Sequence, residues 1–381
     1  MLTAEGCATR RRWLFAALRE GCDALIVGDP SHLIYYANYV PAPFEFRTME
    51  SAALLILEPG RSILVADNLL QTEIDRAHVD EGVAPVWYDG SRPTAPRRGQ
   101  LVETALARLA AIPGRRFGVE LAAVPAGVVE GLRAARPDVE VVDIGPLIRP
   151  LRRAKDADEV AVLRLAIGAG EAAHAAALAK VEPGMTELEV YLLVQDAAIR
   201  HLGQRVIVYG DFASGPRTAT DKGGPPTARV IERGDLLLLD FSVVVDGYRG
   251  DFTNTFAVGG GPTPRQRELF EACVGALEAA ESRLKPGAVA RDVDAAVRSH
   301  FQGLGLLDHF PTHVGHGIGL GHPEPPYLVP GSVETLVAGD VLAIEPGLYI
   351  EGVGGMRYER NYLITPDGFE TLSNHAIRIE Q

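Results

Sequence analysis

Two aspartates, Asp240 and Asp251, stand on the arms of a β-hairpin that reads LLLLDFSVVV, DG, YRGDFTNTF. Carboxylates so close repel each other, and flanking Leu and Val residues add a desolvation penalty. A divalent cation between them removes both objections. Asp246-Gly247 favours a two-residue turn because both positions tolerate positive φ. The register then places Val245 opposite Tyr248 and Asp240 opposite Thr253, with Asp251 diagonal to Asp240 on the same face, roughly 7–8 Å away between backbones. Three further donors follow. His316 lies in HVGHGIGL, where neighbouring glycines permit close backbone approach. Glu345 ends the strand DVLAIE just before Pro346-Gly347. Glu359 lies in GMRYERNY, where strand alternation puts Arg357 and Glu359 on one face. Four carboxylates and one imidazole are more than one ion needs. They suit two ions sharing carboxylates, an arrangement that clamps a polarised bond and makes water nucleophilic near neutral pH. Oxygen donors with one nitrogen and no thiolate favour Mn²⁺ or Co²⁺, and Zn²⁺ also fits. Taken singly, each residue has a plainer reading: a turn Asp, a Glu ending a strand, a Glu paired with Arg357 or Arg360. Other histidines, such as His78, His174 and His201, read as surface or core residues.

The elements that must position these residues form two domains, as 381 residues exceed one usual core. Residues 1–150 alternate short helices and strands. Thr9 to Glu20 has helical spacing, DALIVG reads as a buried strand, SAALLILEPG and RSILVAD pair around Pro59-Gly60, and Val102 to Ala111 is again helical. This is an α/β domain. After the basic seam Arg149 to Lys155, residues 151–381 open with an Ala-rich helix from Asp156 to Lys180, turn at Glu182-Pro183-Gly184, and continue in a helix over Glu187 to Leu202 that Thr186 caps. The hairpin, a helical pair (Arg265 to Leu284 and Arg291 to Gly303) and Gly-punctuated strands complete an α+β layout.

The order Asp, Asp, His, Glu, Glu resembles that of the pita-bread metallopeptidases, the family of methionine aminopeptidase, aminopeptidase P and prolidase. LLLLDFSVVVDGYRGDFTNTF, GHGIGL, AIEPGLYI and GMRYERNYLIT carry the likeness, and LIRPLRRAKDADEVAVLRLA and VEPGMTELEV extend it upstream. The first third resembles a creatinase/prolidase-type accessory domain. The resemblance implies a pita-bread catalytic domain in which Asp240, Asp251, His316, Glu345 and Glu359 bind metal, Asp251 and Glu359 bridge, and Glu345 carries a proton from water to the leaving nitrogen. It implies that Arg357 orients neighbouring acids or a substrate carboxylate, and that the chain is a homodimer. The expected activity is cleavage of a peptide or amide C–N bond, as in an Xaa-Pro dipeptidase or aminopeptidase.

Several positions depart from the family pattern. No histidine lies between His201 and His300, where family peptidases carry one near the substrate mouth; the stretch reads SGPRTATDKGGPPTARVIERGD. Pro323 holds the place of the second histidine of the metal-histidine loop, and His322 lies one residue earlier; a different path through His322-Pro323-Glu324-Pro325-Pro326 restores its imidazole to the substrate. Asn254 stands where Arg is usual and Ser242 where Gly is common. These changes bring in a second reading, a hydrolase or lyase of a small non-peptide metabolite. A third, a non-catalytic binding module, is disfavoured because all five ligands are present. Phe44-Glu45-Phe46-Arg47 is a candidate to close a partner subunit's pocket.

A net charge of -13 gives no footprint for nucleic acid or an anionic membrane, and Arg10-Arg11-Arg12 reads as a solvated helix end. Three distant cysteines fit neither a disulfide framework nor a thiolate zinc site, which points to a reducing cytoplasm. No stretch is expected to reach the ~20 apolar residues that span a bilayer, and the first twenty residues lack a signal-peptide core.

Overall fold

The computed structural model describes residues 1–41, 53–91 and 96–381. Phe44 to Arg47 lie outside the described residues. The chain divides into two compact units, Met1–Arg152 and Arg153–Gln381.

In the first unit a six-stranded sheet carries helices between its strands. Its elements are α1 (Ala4–Ala16), β1 (Ala24–Val27), α2 (Pro30–Ala37), β2 (Leu54–Glu58), β3 (Arg61–Val65), α3 (Gln71–Arg76), β4 (Glu81–Val83), α4 (Arg97–Ala110), β5 (Arg116–Val119), α5 (Ala126–Ala135), β6 (Glu140–Asp143) and α6 (Gly145–Leu151). The strand order is β4-β3-β2-β1-β5-β6. The β2–β3 hairpin turns at Pro59-Gly60, while β1–β5 and β5–β6 run parallel. All four β1 residues are buried, as a strand covered on both faces requires.

Two expectations need correction here. Helix α1 begins and ends earlier than Thr9 to Glu20, because Thr3 Oγ1 accepts from the Gly6 amide at its start and Gly21, at φ +68°, follows the turn at its end. Of the Arg10-Arg11-Arg12 cluster, read as a solvated helix end, only Arg12 is exposed. Arg10 is fully buried, donates to the Tyr35 carbonyl at 3.3 Å and lies over the Tyr35 ring. Arg11 donates to the Tyr36 and His78 carbonyls at 2.8 and 2.7 Å. Guanidinium groups with five donors serve carbonyls left over at element ends, and helical spacing alone does not reveal such partners.

The second unit opens with α7 (Ala157–Lys180) and α8 (Glu187–Leu202). Asp156 and Glu159 form a capping box on α7, and Thr186 and Glu189 form one on α8; each such cap stabilises by about 1 kcal/mol. Among the described residues α7 is the one helix long and apolar enough to cross a bilayer, contrary to the expectation that no such stretch exists, and 56% of that window is buried within the protein. Its apolar length serves packing against α8, β8 and β9. There Glu159 accepts from the Tyr248 hydroxyl at 2.8 Å.

Strands β7 (Ile207–Ser214), β8 (Leu236–Val245), β9 (Tyr248–Gly250) and β10 (Thr253–Ala257) make one antiparallel sheet, with short α9 (Arg217–Thr220) after β7. Helices α10 (Pro264–Glu281) and α11 (Ala290–Gly303) pair next. Strands β11 (Gly315–Gly317), β12 (Glu324–Leu328), β13 (Val341–Ile344), β16 (Arg360–Thr365) and β17 (Gly368–Thr371) form a second sheet, while β14 (Gly347–Ile350) and β15 (Gly354–Arg357) form a ribbon. The core of this unit joins α10 and α11 to both sheets and the ribbon through Leu236, Leu269, Cys273, Val297, Ile344 and Met356. Helices thus cover antiparallel strands, and the strand ends are left to carry polar residues.

Candidate metal centre

The hairpin turn has the conformation its residues favour, Asp246 at φ +48° and Gly247 at +84°. Val245 faces Tyr248 and Asp240 faces Thr253, as the turn chemistry predicts. Between β9 and β10 the same register continues, since the Phe241 amide donates to the Phe252 carbonyl at 2.9 Å. Asp251 falls in that gap, beside Ser242, whose hydroxyl lies 3.5 Å from its Oδ1. Ligand atoms of Asp240, Asp251 and Glu359 lie within 4.8 Å of one another.

Glu359 reaches this point by an unexpected route. Alternation within one strand predicts Arg357 and Glu359 side by side, yet the strand breaks between them: β15 pairs with β14 and β16 with β13. The Glu359 amide donates to the Thr253 carbonyl at 3.1 Å. Its carboxylate accepts from Thr253 Oγ1 at 2.8 Å and Asn361 Nδ2 at 2.6 Å, so it pairs with neither Arg357 nor Arg360.

His316 sits in the middle of β11, between β12 and β13. A methyl at Gly315 would run into the Ala343 carbonyl, and one at Gly317 into the Pro325 carbonyl, so the flanking glycines are needed for close strand approach. Its Nδ1 lies 3.0 Å from the Gly317 carbonyl oxygen, which places the ring proton there and turns Nε2 toward the acids. That Nε2 is 3.2 Å from Glu345 Oε1 and 3.6 Å from Asp251 Oδ2. Glu345 follows β13, with its amide bonded to the Val314 carbonyl. His313, which the sequence reading passed over, also touches Glu345 Oε1, at 2.9 Å; the repeated imidazole in HVGH was the signal available.

His322 enters the same cluster. Pairing of β11 with β12 shifts by two residues after His316, so that Gly317 faces Glu324, and this bulge compensates for the position of His322 in the loop. Its Nε2 lies 2.8 Å from Asp251 Oδ2, and its ring meets His316 edge-on at 4.9 Å.

Arg357, at the end of β15, is buried beside the acids. It is bonded to Asp240, donates to the Tyr349 hydroxyl at 2.8 Å, and is 3.2 Å from Asp211 Oδ2 and 3.5 Å from Glu345 Oε2. Asp211 faces Asp240 across β7 and β8, with 37% of its side chain exposed against 19% for Asp240. No local pattern marks Asp211, because only cross-strand pairing brings it here. The Lys222 carbonyl lies 3.5 Å from Arg357 Nη1, so the histidine-free stretch SGPRTATDKG borders the site. Asn254 stands away from it, its amide 2.9 Å from His174 Nε2, and His174 is buried core as expected.

The electrostatics show what the cluster lacks. Burial pushes the Asp240 carboxyl up; Arg357 opposes this, but Asp251 and Glu345 reinforce it, to about 7. Burial, then Asp251, Glu345 and Asp240, hold Glu359 well above the carboxylate range. Burial also opposes ionisation of Glu345, but His313, His316 and Arg357 outweigh it and keep that acid well below its usual value. His316 is lowered by burial and raised more strongly by Glu345 and Asp251, to about 9. Acids forced to share protons in a buried space, beside imidazole nitrogens at ligand-like separations, fit divalent cations, which replace the protons and cancel the repulsion.

The architecture, an α/β accessory domain before a helix-covered antiparallel catalytic domain, is that of a two-domain metallopeptidase with a creatinase-type N-terminal domain and a pita-bread catalytic domain. The chain belongs to metallopeptidase family M24, whose profile matches residues 161–366. The creatinase/prolidase N-terminal domain profile matches residues 14–154. The chain is 30% identical over 369 residues to the uncharacterized peptidase YqhT of Bacillus subtilis, covering 95% of this chain and 96% of that protein. It is 33% identical over 251 residues to the Xaa-Pro dipeptidase of Pyrococcus furiosus, covering 65% and 70%. The solved Xaa-Pro dipeptidase from Bacillus anthracis superposes with a TM-score of 0.82 at 25% identity over 100% of both chains.

Proposed function

We propose that the chain is a two-metal hydrolase cleaving the bond before proline in dipeptides or short peptides, an Xaa-Pro dipeptidase or aminopeptidase. The convergence of Asp240, Asp251, His316, Glu345 and Glu359 carries this reading, and relatives bearing the Xaa-Pro dipeptidase name support the substrate. Asp240, Asp251 and Glu359 would hold one ion, and His316 and Glu345, 3.2 Å apart, the other; Asp251, which groups with Asp240 and Glu359 and also lies 3.6 Å from His316, would serve both. The oxygen-rich set favours Mn²⁺ or Co²⁺, with Zn²⁺ also accommodated. When bound, such ions polarise the scissile carbonyl and lower the pKa of the attacking water.

The chain's own residues manage protons and charge around that centre. Glu345 is the general base and then the acid for the leaving nitrogen. His313 and His316 occupy its Oε1, leaving Oε2, which has only the longer 3.5 Å approach of Arg357, to take the proton. Arg357 links Asp240 to Asp211 at the mouth, where it orients a substrate carboxylate. We assign the protein to the cytoplasm as a homodimer; its three cysteines, which form no disulfide with one another, are in keeping with a reducing compartment.

Product analysis with Xaa-Pro dipeptides and longer peptides in added Mn²⁺ tests the proposal, and release of free proline or of an amino-terminal residue is expected. The bordering residues Asp211 and Lys222, in place of an imidazole, favour one competitor, a hydrolase or lyase of a small non-peptide metabolite. Absence of peptide turnover by protein holding its ions selects that competitor. Protein that takes up no ion at saturating Mn²⁺ or Co²⁺ is a binding module instead.

A further inference from the structure

We infer that His322 is a second imidazole ligand of the metal centre, completing with Asp251 and His316 a donor group of two nitrogens and one carboxylate. The inference deepens the two-metal reading and rests on it. Donors bound to one ion at about 2.0–2.2 Å are separated by roughly 3–3.5 Å. The ligand atoms of Asp251, His316 and His322 lie within 4.8 Å of one another. His322 Nε2 is 2.8 Å and His316 Nε2 3.6 Å from the same oxygen, Asp251 Oδ2.

The loop holds the ring there from behind. Glu324, two residues on, is buried; its carboxylate takes the Lys155 ammonium at 2.5 Å and the Gly321 amide at 2.9 Å. Lys155 in turn donates to the Arg153 carbonyl at 3.0 Å. A methyl at Gly321 would press on the Glu324 side chain, 2.7 Å from Oε2. His322 is thus bracketed by a residue with no room for a Cβ and by a buried ion pair, and its imidazole presents Nε2 to Asp251.

Two consequences follow. A site with two imidazoles binds Zn²⁺ and Co²⁺ more tightly relative to Mn²⁺ than one with a single imidazole. An imidazole engaged by metal is also withdrawn from substrate, so substrate contacts at the mouth pass to Arg357, Asp211 and Lys222.

X-ray absorption at the metal edge of protein loaded with Co²⁺ or Zn²⁺ counts the imidazoles directly. Two imidazoles shared by two ions are expected in the wild type, one in His322→Gln, and two in His313→Ala. Glutamine retains an N–H for Asp251 but is a poor ligand, so it rescues an outer hydrogen-bonding role and not ligation. Competition dialysis is expected to show the Zn²⁺ preference over Mn²⁺ falling by about tenfold or more in His322→Gln. One imidazole for two ions in the wild type overturns the inference and leaves the two-metal reading standing. No bound ion overturns both. The wild-type count needs no variant to fold.

Discussion

Among the described residues, acids and imidazole cluster in each of the two units, and the two clusters are built on opposite plans. In the N-terminal unit Asp29, His32 and Glu120 bring their ligand atoms within 4.8 Å, just as Asp240, Asp251 and Glu359 do in the catalytic unit. Glu120 follows β5 and spends Oε2 on the Gly28 and Asp29 amides, each at 3.0 Å, and Oε1 on His32 Nδ1 at 2.5 Å. Asp29 caps α2 by accepting from the Ser31 amide at 2.8 Å. Burial works against the Asp29 carboxylate, yet Ser31 and His32 outweigh it and keep the acid below its usual value. In the catalytic unit, carboxylates face carboxylates, and Asp240 and Glu359 are driven upward. The residue types are alike; the difference is whether backbone amides or other acids surround them. A cluster that satisfies itself is a structural joint, and one that cannot is a place for cations.

The largest expected effects break the catalytic cluster. Asp251→Asn removes the carboxylate common to both donor groups, and metal retention should drop by more than the about 10–100-fold that an outer partner costs, with activity lost alongside. Metal analysis after dialysis reads this. Glu345→Gln should keep most of its metal while kcat falls about 10²–10⁴-fold. Full activity in either variant would refute the assignment of roles.

A second test uses the protons that stand in for the ions. In metal-free protein Asp240 at about 7, His316 at about 9, and the raised Glu359 and His322 all bind protons more tightly folded than unfolded. The native state therefore holds more protons, and stability falls as pH rises. The window lies above 6.5, because His174 and His375, lowered from 6.5 by burial and nearby arginines to about 3 and about 2, are neutral there in both states. The Tm of metal-free protein should decline from pH 6.5 to 9. Adding Mn²⁺ should abolish the decline, with affinity rising about tenfold per pH unit for each proton displaced. A metal-free Tm that climbs over this range would mean that the acids do not crowd one another.

Which parts of this contrast were legible beforehand follows from the range of the forces involved. The Asp246-Gly247 turn determines the register around Asp240 locally, and Thr186 caps its helix through a contact three residues away. Such features travel with the sequence. Asp211 and His313 join the site only through cross-strand or cross-loop neighbours. The His322 imidazole reaches Asp251 through a bulge that no periodicity announces. Likewise no local pattern marks the cluster at Glu120, because Glu120 lies 88 residues from His32 and joins it only where parallel β1 and β5 end. The burial of Arg10 depends on a carbonyl of α2, again beyond any local window.

The smallest expected effect probes that N-terminal cluster. Glu120→Gln preserves shape but replaces an acceptor that bonds two amides and an imidazole with a neutral amide. It should lower the stability of the N-terminal unit by about 1–3 kcal/mol, the cost of weakening bonds to buried donors, and denaturant melts would register it. Metal content, and the activity of the folded fraction, should not change, since the Glu120 oxygens are already taken by protein donors. The opposite pattern, unchanged melts with one fewer bound ion, would mean that Asp29, His32 and Glu120 hold a cation. Hydrogen-bond satisfaction would then be the wrong criterion for separating the two clusters.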